Sequence, residues 1–205
     1  MLSEISDGMI VIAISPRPRH HLTAALLRKR LDAELPDGLG VFQATDIDDE
    51  ALGKLRVPDL HVCSYDAMDT DDPLDPREIT LAIEIVSPSN PDNDYRDKTR
   101  DYPAMGIPHY LILDLRDGTW TYLWGIGRAE GRPVYENRLH LAYGKPVTVA
   151  TDLGTWTIDT TDLPRYSTKD MGVRCGVNGR RKGRREARPP HPSRFVKVNS
   201  VIPGG

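Results

Sequence analysis

The eight residues Ile79 to Val86, Ile-Thr-Leu-Ala-Ile-Glu-Ile-Val, constrain this chain more than any other stretch. They are almost wholly apolar, the pattern of an inner strand buried on both faces. One charge, Glu84, stands inside them. An isolated ionised carboxylate in an apolar interior is strongly disfavoured even after relaxation. Glu84 must therefore be paired, exposed or bound to a metal.

The flanking segments supply candidates for those partners. Val57 to Cys63 alternates with period two, so Asp59, His61 and Cys63 share one strand face, which Asp59 can have in common with Glu84. Two carboxylates with retained water suit Mg²⁺ or Mn²⁺, which prefer oxygen ligands. The intervening Asp66, Asp69, Asp71, Asp72 and Asp75 read as solvated loop charge, and His61 as a satisfied histidine at the core edge. After Ser87-Pro88-Ser89-Asn90-Pro91 a helix is expected from near Asp92 towards Tyr102, with Pro103 ending or kinking it. Asp94, Lys98 and Tyr102 follow at four-residue steps along one face of it.

The rest of the pattern is mixed α/β. Met9 to Ile14 reads as a strand. From His20 the apolar residues Leu22, Ala25, Leu26, Leu31 and Leu35 recur at helical spacing, closed by Pro36-Asp37-Gly38. Val41 to Ile47 is strand-like, and the acidic stretch Asp46 to Glu50 reads as a loop. His109 to Leu115 and Thr119 to Ile126 form a hairpin turning at Asp117-Gly118. Asp114 is expected to serve that turn or a salt bridge. Short strands are expected at Val147 to Thr151 and Thr155 to Asp159.

Charge divides the chain in two. From Lys169 onward there are ten Lys or Arg against two acids, a balance of +8, whereas residues 1–168 carry −11. The segment 169–205 is rich in Gly, Pro and Arg without apolar periodicity, and is expected to be a disordered basic tail. No apolar run is long enough to span a bilayer, and the N-terminus lacks a signal-peptide pattern. Two distant cysteines, Cys63 and Cys175, make no disulfide framework, so a cytoplasmic location is expected. The six histidines have neither HxH nor HExxH spacing, and no phosphate-binding GxxxxGK[ST] loop occurs.

The runs Val57-Pro58-Asp59 and L-A-I-E-I-V-S-P-S at 81–89, then Asp94, Lys98 and Tyr102, then G-I-P-H-Y at 106–110 and Asp114, together resemble the Uma-two family of endonucleases. That family lies within the PD-(D/E)XK superfamily. The resemblance covers roughly residues 5 to 165. It implies a restriction endonuclease-like core over residues 1–168, a central mixed sheet flanked by helices, with additional C-terminal strands. By the same resemblance, Asp59, Glu84 and Lys98 are the catalytic residues. Asp59, Glu84 and the Ile85 carbonyl are the ligands of Mg²⁺ or Mn²⁺. The superfamily often places its lysine two residues after the glutamate. Here that position is Val86, and Lys98 on the following helix takes the role. His20, Asp94 and Tyr102 are substrate or support residues. The implied activity is metal-dependent hydrolysis of phosphodiester bonds in nucleic acid, DNA foremost, with a homodimer suited to double-strand cutting. Two alternatives stay open: a non-catalytic nucleic-acid-binding or mobile-element accessory protein on the same fold, and a protein in which Asp59, Glu84 and Lys98 form only an internal ion-pair network.

Overall fold

The structure, a computed structural model, describes residues 2–6, 8–13, 17–88 and 90–167. The basic segment 169–205 lies outside them. In chain order come strands β1 (Leu2–Ser6) and β2 (Met9–Ala13), helix α1 (Pro18–Asp32), and strands β3 (Leu39–Phe42), β4 (Ile47–Asp49), β5 (Lys54–Arg56), β6 (Leu60–Ser64) and β7 (Leu81–Ile85). A helical segment follows, π-helical over Asn93–Lys98 and α-helical as α2 (Thr99–Ala104). Strands β8 (His109–Asp114), β9 (Thr119–Ala129), β10 (Arg132–Ala142), β11 (Val147–Thr151) and β12 (Gly154–Ile158) complete the fold.

A six-stranded sheet, ordered β10-β9-β8-β7-β6-β3, forms the centre. It is mixed: β7 and β8 run parallel and every other neighbouring pair is antiparallel. The parallel pair needs a crossover, and the 93–104 helix supplies it. β7 is buried at every position, as its apolar run requires. One face of the sheet packs Leu60, Leu81, Ile83, Leu111, Leu113 and Trp120 against α1 and the β11–β12 hairpin. The other packs Ala82, Tyr110 and Ile112 against Tyr102, Met105 and Ile107. A separate four-stranded sheet, β2-β1-β5-β4, carries the N-terminal strands. The architecture is the mixed sheet flanked by helices, with extra C-terminal strands, implied by the sequence.

Several local expectations need correction. The buried stripe of α1 is His20, Thr23, Ala24, Leu27 and Leu31, while Leu22 and Ala25 face outward. Polar side chains occupy two positions of the stripe, which shifted the apparent apolar period. The acidic stretch at 46–50 contains β4, and β1, β5 and β10 had not been foreseen. Pro103 lies inside α2 and does not end it. The stop comes at Gly106, with φ of 85°. There the Ile107 N–H donates to Tyr102 O at 3.0 Å and the Gly106 N–H to Pro103 O at 3.3 Å. This is a Schellman ending, with Ile107 buried in the same cluster as Tyr102, and it gives Gly-Ile-Pro at 106–108 its physical meaning.

Candidate active site

The site forms where β6 and β7 part. Leu60 stands opposite Ile83, so the next step of this antiparallel register sets Asp59 opposite Glu84. The preceding Pro58 has no N–H to extend the ladder. The Asp59 side chain takes the next donor of β7 in place of a backbone acceptor, its Oδ2 accepting the Ile85 N–H at 2.7 Å. The same oxygen lies 3.0 Å from Nε2 of His20, delivered by the first turn of α1. His20, expected as a substrate or support residue, is thereby placed beside Asp59.

Glu84 is addressed from the crossover helix. Its Oε1 accepts from Lys98 Nζ at 2.8 Å and from the Tyr102 hydroxyl at 2.5 Å. Four residues overshoot one α turn by about 40° and fall short of the wider π turn. The π step from Asp94 to Lys98 and the α step from Lys98 to Tyr102 thus offset each other, and all three side chains are buried along one line. Tyr110 backs this line, its ring edge-to-face with Tyr102 at 4.8 Å and its hydroxyl donating to Asp94 O at 2.9 Å.

Lys98 has more partners than the sequence suggested. Beyond Glu84, its Nζ lies 2.9 Å from Glu4 Oε1 and 3.4 Å from Val57 O. Three acceptors match the three protons of an ammonium. Glu4 Oε1 also accepts the Val57 N–H at 3.1 Å, and its Oε2 meets Arg56 Nη1 at 3.1 Å. The fully buried Arg56 pairs in turn with Asp101, which also holds Lys54 at 2.8 Å. Glu4, Arg56 and Asp101 were missed because their partners are far apart in the chain.

These contacts separate the carboxyls electrostatically. Burial works against ionisation of Glu4, but Lys98 and Arg56 outweigh it and keep its pKa below the usual range. Burial of Asp59 is likewise outweighed by His20, Lys98 and the Ile85 N–H. Glu84 goes the other way: burial, with Asp59, Asp94 and Glu4 nearby, raises it well above an ordinary carboxyl despite Lys98. Asp94 is pushed up to about 7, by burial first and by Asp59 and Glu4 next. For Lys98, burial is overcome by Glu4 and Glu84, and the ammonium is held firmly charged.

No group of three or more His, Cys, Asp or Glu among the described residues is arranged to hold a metal ion. A cation at this point would rest on two carboxylates and backbone oxygen. The donor set suits a hard divalent ion that keeps several waters. Among the described residues, hydrogen bonds engage Oδ2 of Asp59 and Oε1 of Glu84, and Oδ1 and Oε2 are the oxygens that would serve as metal donors. The crowding that lifts Glu84 would also be relieved by added positive charge.

His61, two residues along the strand from Asp59, corrects a further expectation. It is fully buried against Phe42, and neither ring nitrogen has a hydrogen-bond partner among the described residues. Burial pushes it down to about 4, so the ring is neutral at pH 7. Asp114 meets its expectation, pairing with Arg116 at 2.6 Å and accepting from the Tyr95 hydroxyl at 3.1 Å.

A mixed sheet with acidic side chains at the parting of two strands and a lysine on the crossover helix places the chain in the restriction endonuclease-like class. A family model described as "Uma2: Putative restriction endonuclease" matches residues 2–161, and the chain belongs to that family. Among solved structures it is similar to a protein from Anabaena variabilis, titled a putative nuclease belonging to DUF820. The TM-score is 0.56 at 15% identity, covering 82% of this chain and 88% of that one. No curated protein matches. No helix among the described residues is long and apolar enough to cross a membrane.

Proposed function

We propose that the protein is a metal-dependent endonuclease that hydrolyses phosphodiester bonds, with DNA as substrate. The observation that carries this reading is the juxtaposition of Asp59 and Glu84, one step beyond the Leu60–Ile83 pair, beside a buried ammonium that donates to Glu84. Asp59 Oδ1, Glu84 Oε2 and the Ile85 carbonyl would hold Mg²⁺ or Mn²⁺. The N–H and C=O of a strand residue point to the same side. The Ile85 N–H bonds to Asp59, so its carbonyl faces the edge that β6 has left. A bound ion would supply charge neutralisation at the phosphodiester and a lowered pKa for water.

The chain's own residues do the rest. His20 and the Ile85 N–H fix Asp59, while Tyr102 and Lys98 fix Glu84. Lys98 contributes a fixed positive charge where negative charge grows on the phosphate, and a preorganised charge of this kind is worth far more than one in water. Arg17, Arg19 and His21 are exposed around the first turn of α1, the turn that brings His20 to Asp59, and are suited to contact substrate phosphates.

The experiment is cleavage of plasmid and single-stranded DNA with Mg²⁺ or Mn²⁺, by wild type and Glu84→Ala and with EDTA. The reading expects cleavage that both the variant and EDTA abolish, with the variant still folded. Undiminished turnover by Glu84→Ala would end it. A second reading, an ion-pair core without catalysis, draws on the saturation of Lys98 by three acceptors. It expects no metal uptake by calorimetry, where the nuclease reading expects uptake that Glu84→Ala removes.

A further inference from the structure

We propose that Glu4 is a positioning residue for Lys98 and for the segment that enters Asp59. The inference rests on the nuclease reading for its catalytic meaning, but its geometry stands apart. Glu4 belongs to the small N-terminal sheet, whereas Glu84 lies in the central sheet and Lys98 on the crossover helix. One oxygen, Oε1, serves two parts of the site: it accepts from Lys98 at 2.9 Å and from the Val57 N–H at 3.1 Å. Val57 O completes a triangle by accepting from Lys98 at 3.4 Å. Val57 is two residues before Asp59, so the lead-in to one candidate ligand is tied to the ammonium that contacts the other.

The second oxygen orients the first. Oε2 is held by Arg56, whose guanidinium also binds Asp101, three residues beyond Lys98 on the same helix. The carboxylate is thereby locked between a strand and the helix it serves. Without Glu4, Lys98 would keep only Glu84 and a long contact to Val57 O, on a flexible four-carbon stem. An amide at position 4 carries no charge and one acceptor oxygen in place of two. Glu4→Gln therefore cannot satisfy Lys98, Val57 and Arg56 together.

The test reads the lysines directly. Full-length wild type, Glu4→Gln and Glu4→Asp are treated briefly with an amine-acylating reagent, and labelling of each lysine is followed by mass spectrometry alongside thermal melting. Lys54 is the internal control, because it is buried in the same ion-pair chain through Asp101, which reaches Glu4 by way of Arg56. Labelling of Lys98 is expected to rise about tenfold in Glu4→Gln, the loss of one charge-assisted hydrogen bond, while Lys54 stays protected. Glu4→Asp keeps the charge and restores part of the protection. If Glu4→Gln does not fold, Glu4→Asp carries the test, with Lys98 labelling above wild type and Lys54 unchanged. In cleavage assays kcat falls by up to about a hundredfold, with KM little altered. Equal rises at Lys98 and Lys54, or no rise at either, overturn the proposal. A wild type that cleaves no DNA defeats the nuclease reading, and the labelling contrast still decides the role of Glu4.

Discussion

Lowering the pH should weaken this fold through His61, by an amount the structure sets. In the unfolded chain a histidine takes up its proton near pH 6.5, whereas the buried ring resists until about 4. Between those values the unfolded state binds more protons, so stability falls as pH falls. A gap of that size corresponds to about 3 kcal/mol at 1.36 kcal/mol per pH unit, a large share of a typical domain's 5–15 kcal/mol. Replacing His61 by Leu removes the titration together with two unpartnered nitrogens, and the variant should be at least as stable at pH 7. Urea unfolding followed by tryptophan fluorescence at pH 7 and pH 4, on both proteins, measures the difference of differences. Glu84 and Asp94, raised in the fold, titrate with the opposite sign but are common to both proteins and drop out. Wild type should lose about 3 kcal/mol more than His61→Leu over this range. Parallel losses would show that His61 is protonated in the fold or hydrated, and the argument from burial would fail.

Three further outcomes follow from other contacts. His20→Ala releases Asp59 Oδ2 from its ring partner, and should weaken Mn²⁺ binding by calorimetry about ten- to a hundredfold without changing the secondary structure seen by circular dichroism. Asp94 holds its proton up to about pH 7 in the fold but ionises near 3.8 when unfolded, so stability falls as pH rises between those values and stays lowered above them; with EDTA present, Asp94→Asn should be more stable than wild type at pH 8.5, the advantage vanishing near pH 3.5. Gly106→Ala meets open space except for Arg77 Cγ at 4.0 Å, so the positive φ alone should cost about 1–2 kcal/mol, read as a lower urea midpoint with an unchanged slope.

What the sequence revealed and what it hid have one physical basis. Glu84 was legible because a charge in a strand apolar on both sides has few explanations, and Asp94, Lys98 and Tyr102 because helical neighbours recur at short spacing. Their burial around Glu84 followed from the crossover that a parallel pair requires. Glu4 and Arg56 were not legible. Their ion pair joins residues 52 apart, and Lys98 lies 94 residues beyond Glu4, separations that leave no local period. His61 shows the complementary limit. Alternation put it on the right face, but no pattern could disclose that its nitrogens would lack partners. The β10 strand escaped because its Arg, Glu, Asn and His residues sit at an exposed sheet edge, where apolar alternation is not demanded.

The π-helical turn at Asn93–Lys98 also constrains how this chain can change in length. A π turn is an α-helix carrying one extra residue. Deleting a single residue there would let the segment relax to regular α geometry, leaving Lys98 and Tyr102 anchored on Glu84. The flanks would stay nearly in phase, because only the residue that the wide turn absorbs is lost; the same deletion within the α-helical part, Thr99–Ala104, would swivel everything upstream by about 100° around the helix axis and carry Lys98 and Asp94 away from Glu84. In this stretch, the number of residues is as much a part of the site as their identity.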